Sequence, residues 1–578
     1  MPTLLQINIF ANKGSHGKIA ESIGKLAMEH GWRSVIAYGR AANLSANELI
    51  RVGNEMDIRE HVIESRLFDN HGLASRKATR RFIKQIEELK PDIIHLHVIH
   101  GYYLNYKIFF EYLNSIDTPV VWTFHDTWAY TGHCGHYGSI SCEKWKTQCG
   151  ACPLMWKDYP KSIIDRSSAN FELKKKLFTA NKNLHIVTVS EWLKNEVEQS
   201  FFQGKDIRVI NNGVDLSVFH PIEQVKEKGN GDVFHILGVA SQWGPLKGFK
   251  DFMELRKLLP EDKYKITLVG LNEKQLEQLP DGIEGIKRTD SVYQLAELYS
   301  KADVFCNLTY ADTFPTTNIE ALACGTPVIT YRTGGSPEIL DAETGFVFEK
   351  GDINSVTHQI VQLSQLRGEE VSLVSEKCIK KAKKYYDSNS CFLGYISLYN
   401  SELCVMEGGR FIILGVSAVW GPVKGLEDYI RLSQYLEPDE IIVLVGVTNE
   451  QRKSLPQNII GLPKTDSVKY LVQLYNMADV TCSLSKAETF GLTIAESFAC
   501  GTPAIVYNRT ALPDLITEET GAVVEAGDMK GLRKALTSIK IKGKKDYLSK
   551  CIESANLYYN QKQSYLRYIN LYEELLHE

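Results

Sequence analysis

The sequence predicts an α/β protein of several Rossmann-like, parallel-sheet domains. Three observations predict it: the length, a sustained alternation of short apolar runs with amphipathic stretches, and an internal repeat. At 578 residues the chain exceeds what one hydrophobic core serves, so three or four domains are expected. Its 44% hydrophobic and 24% charged residues describe a folded chain, and a net charge of -4 gives no reason to expect nucleic acid as a partner. The opening MPTLLQINIF reads as a buried strand, since it has neither the charged start nor the long apolar centre of a secretory signal. No run reaches the roughly 18 apolar residues of a membrane span. The expectation is a cytoplasmic protein whose 12 cysteines are mostly reduced.

The alternation begins at once. LLQINIF, SVIAYG, DIIHLHVIH, PVVWTFHD, HIVTVS and IRVINNGV each precede a polar or helical stretch, as the buried strands of a helix-covered parallel sheet do. An N-terminal domain is expected over residues 1–221, followed by a polar linker, EQVKEKGNGD, at 223–232. The pattern resumes at FHILGVAS for a second domain over 232–405. It restarts after Gly408-Gly409, at FIILGVSA, for a third over 410–578.

The third domain repeats the second. FHILGVASQWGPLKGF at 234–249 returns as FIILGVSAVWGPVKGL at 411–426, and residues 289–329 align without gaps to 465–505 with 23 of 41 positions identical. That identity is too high for chance, and the period, near 176 residues, is far too long for a solenoid. Both copies close on a helical stretch, ISLYNSELC in one and INLYEELLH in the other. One N-terminal domain and two tandem copies of another is the expected layout.

Candidate chemistry lies where these strands end, because ligands of open α/β sheets bind outside the carboxyl ends of the strands. The turn Gly14-Ser15-His16-Gly17 opens a helix after the first strand, where glycine permits close approach and helix amides favour an anion. It is not G-x-G-x-x-G, and no acidic residue clearly takes the ribose, which disfavours a dinucleotide oxidoreductase. His125 and Asp126 end VVWTFHD, where the histidine suits a sugar or phosphate oxygen or the pair simply holds a loop. In W-G-P-x-K-G, Lys247 and its counterpart Lys424 are placed to neutralise a phosphate. Asp312 and Glu320 stand eight apart around a turn that opens a helix at Thr316 and Thr317. Carboxylates accept hydrogen bonds from paired hydroxyls, and helix-opening amides suit a diphosphate. Copy two keeps the spacing in Glu488 and Glu496 but carries Thr510-Ala511 where copy one has Gly334-Gly335.

A-E-x-F-G-x-x-x-x-E with A-C-G-T-P downstream resembles the E-x7-E signature of retaining GT-B enzymes in glycosyltransferase family four, and N-N-G-V-D at Asn211–Asp215 resembles that family's interdomain element. The resemblance covers residues 1 to about 405 as one complete enzyme and 410–578 as an additional C-terminal half. It implies that Lys247 binds the donor diphosphate and Glu320 the ribose. Asp312 would contact the transferred sugar, with His125, Gly14, Ser15 and Gly17 closing over it, and Thr316, Thr317, Gly334 and Gly335 lining the donor. Copy one departs from the signature in having Asp312 where the family has Glu. Ser241, Gln242 and Trp243 stand where a basic residue often precedes the lysine.

Two further features stand apart. Cys134, Cys142, Cys149 and Cys152, within a cysteine-rich loop at 133–153, form C-x7-C-x6-C-x2-C, which suits a structural zinc site. Disulfides or reduced thiols are the alternatives. Arg76, Lys77, Arg80, Arg81 and Lys84 mark a basic helix, either a solvated face or a peripheral contact with anionic lipid at the inner face of the membrane.

The expected function is transfer of a hexose-type sugar from an NDP-sugar to a glycan or lipid-linked acceptor. The resemblance implies anomeric retention, no cofactor or metal in the chemistry, and a role in surface polysaccharide or glycoconjugate biosynthesis. A GT-B epimerase or phosphorylase, and a non-catalytic nucleotide-sugar-binding scaffold, are the alternatives. Copy two is expected to serve assembly or regulation, forming a homo-oligomer.

Overall fold

The computed structural model describes residues 2–138, 140–156, 159–222, 233–406, 410–465 and 468–560, together with Tyr565, Leu566 and Ile569. The linker expected at 223–232, the Gly408-Gly409 pair and INLYEELLH beyond its first residue lie outside the described residues. The chain forms two compact units, residues 1–396 and 397–578.

The first unit contains two sheets, each wholly parallel. The N-terminal sheet has the order Glu48–Arg51, Arg33–Ala42, Thr3–Ala11, Ile93–Leu96, Val120–Phe124, Leu184–Thr188, Ile207–Val209. The second runs Ile283–Ile286, Tyr264–Val269, Phe234–Val239, Val304–Asn307, Val328–Tyr331, Gly345–Phe348. Both start a strand in the middle and wind outward in both directions, which opens a crevice at the carboxyl end of that first strand. The apolar runs are buried on both faces, as a sheet covered by helices requires. One continuous buried cluster runs from Leu5 of the first sheet and Phe110 of a covering helix to Phe305 of the second sheet and Ile319 of the helix Thr316–Ala323. The three Rossmann-like sheets and their α/β class are as the sequence predicts.

One strand is shorter than its sequence reads. After Asp92, DIIHLHVIH is apolar or histidine throughout, yet sheet pairing stops at Leu96. Beyond it His97 turns its ring nitrogens to Gln6 Oε1 at 3.0 Å and His125 at 3.1 Å, so the run leaves the sheet and enters the crevice.

The N-N-G-V-D segment joins the two halves of the unit. Val214 N–H donates to the Tyr386 carbonyl at 2.9 Å, Ser388 N–H returns a bond to Val214, and Asn212 Nδ2 reaches the Phe314 carbonyl. The helix Ser388–Met406 then brings Tyr395 onto the N-terminal sheet, where its hydroxyl accepts from Thr123 Oγ1 at 3.0 Å.

The second unit holds one parallel sheet in the order Ile459–Leu462, Glu440–Val445, Phe411–Val416, Val480–Ser483, Ala504–Tyr507, Gly521–Val524, the strand order of the preceding six-stranded sheet. It has its own buried cluster, including Ile413, Leu444, Phe498 and Leu532.

Candidate active site

The first unit gathers most of the expected residues at facing strand ends. Strand Phe234–Val239 leads into the 3-10 turn Pro245–Lys247, and its neighbour Val304–Asn307 leads to Asp312. Adjacent strands thus carry Lys247 and Asp312 to one place, where Lys247 Nζ lies 2.7 Å from Asp312 Oδ2. Glu320 sits on the helix Thr316–Ala323 and accepts a hydrogen bond from Tyr299 at 2.9 Å. Burial pushes its carboxyl upward, while Tyr299, Lys18 and Thr316 pull the other way. The helix begins after Pro315 with no side-chain cap, leaving the amides at Thr316 and Thr317 available to an anion.

Gly334 and Gly335 have a local reason to be glycine. Gly334 has φ +50°, and a Cβ there would stand 1.8 Å from the Asp312 carbonyl oxygen; at Gly335 it would meet Thr313 O at 2.3 Å. A side chain at either position would meet the chain's own backbone at 312–313.

From the N-terminal sheet, the strand Thr3–Ala11 leads to Gly14, Ser15 and Gly17 at the start of the helix Gly14–Glu29, also without a side-chain cap. Lys18 of this helix is the cation near Glu320. His125 follows Val120–Phe124, and its carbonyl accepts from Thr313 Oγ1 at 2.8 Å, a direct link between the two sheets' loops. Asp126 accepts from His100 Nε2 at 2.8 Å and from the Trp128 amide. Burial opposes its charge, but His100 and these bonds hold its carboxyl below the usual range.

The sequence reading missed Tyr299, Lys18, His97, His100 and Glu338. Glu338 accepts from the amides of Glu191 and Trp192 and so closes the helix Glu191–Glu198 against the second sheet's loops. The alternate histidines of HLHVIH were the available signal, hidden by their strand-like context.

Burial holds His97, His95 and His125 well below the ordinary histidine range and lowers His16 to about 4. These rings are neutral in the folded chain, whereas the unfolded chain protonates them near pH 6.5. Between those values the unfolded state binds more protons. Stability is therefore full above about pH 6.5 and falls as pH drops toward 4. The fully buried His95 and His97 are expected to contribute most of the loss at pH 5. Urea unfolding of the first unit at pH 7 and pH 5 checks this, and coincident midpoints would contradict it.

The second unit repeats the local contacts. Lys424 pairs with Glu488, and Tyr475 donates to Glu496 at 2.9 Å. At the position of Gly334, Thr510 adopts φ +49°, and its Oγ1 accepts the Glu488 amide at 2.9 Å.

Cys134, Cys142, Cys149 and Cys152 line one small cavity. The Cys134 and Cys152 side chains hydrogen-bond to one another, and Gly132 N–H donates to Cys149 Sγ at 3.3 Å. All four are free thiols, and among the described residues no three or more His, Cys, Asp or Glu are grouped so as to hold a metal ion. The four share this cavity with Trp145, and the buried Cys134 belongs to the same apolar cluster as that ring. On the basic helix Arg76–Leu89, Arg76 pairs with Glu64 and Arg81 with Asp57. No helix among the described residues is long and apolar enough to cross a membrane.

Parallel Rossmann-like sheets paired in this way make up the GT-B fold. Comparison with known proteins agrees. The family model described as Glycosyltransferase Family 4 matches residues 20–218, and models described as Glycosyl transferases group 1 match 233–365 and 408–557, together most of the chain. The chain belongs to the GT-B glycosyltransferases of family four. It is 24% identical over 381 residues to WcaC of Escherichia coli (strain K12), assigned to colanic acid biosynthesis as a glycosyl transferase, covering 63% of this chain and 90% of that protein. The capsular polysaccharide biosynthesis glycosyltransferase CapM of Staphylococcus aureus is 24% identical over 242 residues, 39% of this chain and 63% of its own. Among solved structures, a sucrose-phosphate synthase of Thermosynechococcus elongatus shares the fold, with a TM-score of 0.54 at 16% identity, over 70% of this chain and 100% of that one.

Proposed function

We propose that the first unit transfers a hexose-type sugar from an NDP-sugar to a glycan or lipid-linked acceptor, with retention and without a catalytic metal, in surface polysaccharide biosynthesis. The observation that carries this reading is the meeting of Lys247, Asp312 and Glu320 with the Gly14 turn and His125, tied by the Thr313–His125 bond. Names of relatives such as WcaC and CapM support the pathway class. In this scheme Lys247 and the helix amides at Thr316 and Thr317 stabilise charge on the departing diphosphate, and Glu320 takes the ribose hydroxyls. Asp312 orients the sugar beside its acceptor. The bond from C1 to the phosphate oxygen breaks, the acceptor oxygen bonds C1 on the same face, and the acceptor proton passes to the leaving phosphate.

The reading takes the chain as three domains, 1–221, 232–405 and 410–578, the third a duplicate of the second that serves assembly or regulation. The basic helix would rest on anionic lipid. A zinc ion in the cysteine loop would require the four thiols to draw closer; about one zinc per chain on metal analysis would sustain it, and four reactive thiols would reject it.

Thermal shift against UDP-, GDP- and ADP-hexoses tests the main reading. At least one should raise the midpoint by several degrees through preferential binding to the folded state. No response to any of them in folded protein would overturn it.

A further inference from the structure

The central strand of the N-terminal sheet, Thr3–Ala11, carries two amides on one of its sides, Gln6 and Asn8, and both are fully buried. A buried amide needs partners for its oxygen and its nitrogen. Here the partners fix which end is which. Gln6 Nε2 donates to the Ala20 carbonyl at 2.8 Å, so Oε1 is the end that faces His97. Asn8 Nδ2 donates to the Phe10 carbonyl at 2.9 Å, while its Oδ1 receives the Val98 amide at 3.3 Å.

From these oxygens the hydrogen positions follow ring by ring. An amide oxygen only accepts, so His97 Nε2, 3.0 Å from Gln6 Oε1, carries a hydrogen. Burial keeps His97 neutral, and its Nδ1 is then a bare lone pair. His125 Nε2 lies 3.1 Å from that lone pair and must bring the hydrogen, which leaves the Nδ1 of this neutral ring bare. The second chain is shorter. His16 Nδ1 donates to Asn8 Oδ1 at 3.1 Å, and because this ring is neutral too, its Nε2 is bare. Among the described residues neither His125 Nδ1 nor His16 Nε2 forms a hydrogen bond. Both rings are only partly buried, and their centroids stand 6.1 Å apart, beyond the ends of the strands Thr3–Ala11 and Val120–Phe124.

We propose that Gln6, His97 and Asn8 are positioning residues that set two imidazole tautomers in the crevice: Gln6, through His97, keeps the His125 hydrogen on Nε2, and Asn8 keeps the His16 hydrogen on Nδ1. This corner therefore presents two bare ring nitrogens. Each accepts a hydrogen bond from a hydroxyl or amide group, and neither has anything to give an ionised phosphate oxygen. The choice between a sugar and a phosphate oxygen at His125 thus closes against the phosphate. The tautomers hold whatever enters the crevice; the exclusion of an anion rests on the sugar-transfer reading, in which this crevice takes the donor.

The test reads the ring nitrogens of the full chain, with its histidines labelled with nitrogen-15, in a two-bond proton–nitrogen correlation spectrum at about pH 7.5, where an unperturbed histidine is already neutral. Such a spectrum separates bare from protonated nitrogens. His16→Gln, His97→Gln and His125→Gln serve only to assign the signals. The wild type should show one tautomer for each ring, with the hydrogen on Nε2 in His97 and His125 and on Nδ1 in His16. The opposite tautomer at His125 or His16, a mixture of tautomers or a doubly protonated ring would overturn the inference. Gln6→Glu is the second arm. A carboxylate beside His97 favours its doubly protonated form, whose Nδ1 donates, so the His125 hydrogen should move to Nδ1. An unchanged His125 signal beside a doubly protonated His97 would show that Gln6 does not set it, and if this variant fails to fold the wild-type spectrum still decides. Titration with inorganic pyrophosphate should leave both rings neutral, and conversion of either to the doubly protonated form would overturn the exclusion of an anion. The expected tautomers in a wild type that no sugar nucleotide stabilises would remove the transfer reading and leave the positioning roles standing.

Discussion

Lys247→Ala is expected to lower kcat/KM by about two orders of magnitude or more while the fold survives. The lysine ends a short turn whose geometry is set by Gly248 at φ +73°, where a Cβ would strike the Leu308 carbonyl at 2.1 Å. The side chain is therefore aimed by backbone that alanine leaves intact. Its ammonium lies 2.7 Å from Asp312 Oδ2. A donor diphosphate entering the crevice would take over that cation, freeing Asp312 for the sugar. Alanine removes the charge that offsets the leaving group and leaves Asp312 uncompensated beside an anionic donor. Losing a charge-assisted contact of this kind costs about 2–4 kcal/mol of transition-state stabilisation. Steady-state transfer rates with the sugar nucleotide that gives the largest thermal shift, alongside the variant's circular dichroism, measure it. Near wild-type kcat/KM in folded protein would remove Lys247 from the chemistry.

The second large effect separates the two copies. Glu320→Ala should reduce transfer roughly a hundredfold or more, whereas Glu496→Ala should leave most of it. Locally the two carboxylates are alike, each 2.9 Å from a tyrosine hydroxyl, Tyr299 or Tyr475. What differs is the backbone opposite. In copy one Gly334 leaves the 312–313 segment bare, while in copy two Thr510 holds nearly the same φ and spends its hydroxyl on the Glu488 amide. Because Glu320→Ala also strands the buried Tyr299 hydroxyl, Glu320→Gln serves as a control that keeps an acceptor there. Loss of transfer in Glu496→Ala with Glu320→Ala intact would place the working site in copy two.

The sequence by itself determined the α/β class and the repeat, and it singled out Lys247, Asp312 and Glu320 as candidates. Each of these is written locally, in apolar runs of strand length, in gapless identity between 289–329 and 465–505, and in carboxylates eight residues apart. Local pattern could not show that HLHVIH leaves its sheet at Leu96, because a histidine ring looks equally at home in a strand and in a polar crevice. The sequence also could not show the Lys247–Asp312 pair, whose members are 65 residues apart, or the Lys350–Gly138 clasp, whose members are 212 apart. Those contacts depend on strand order: a strand begun at the centre of a sheet acquires neighbours from distant segments, and their loops meet only once the sheets have formed. The cysteine loop makes the same point. Its spacing suits a metal, but spacing does not fix the directions of four thiols, which line one small cavity with Trp145.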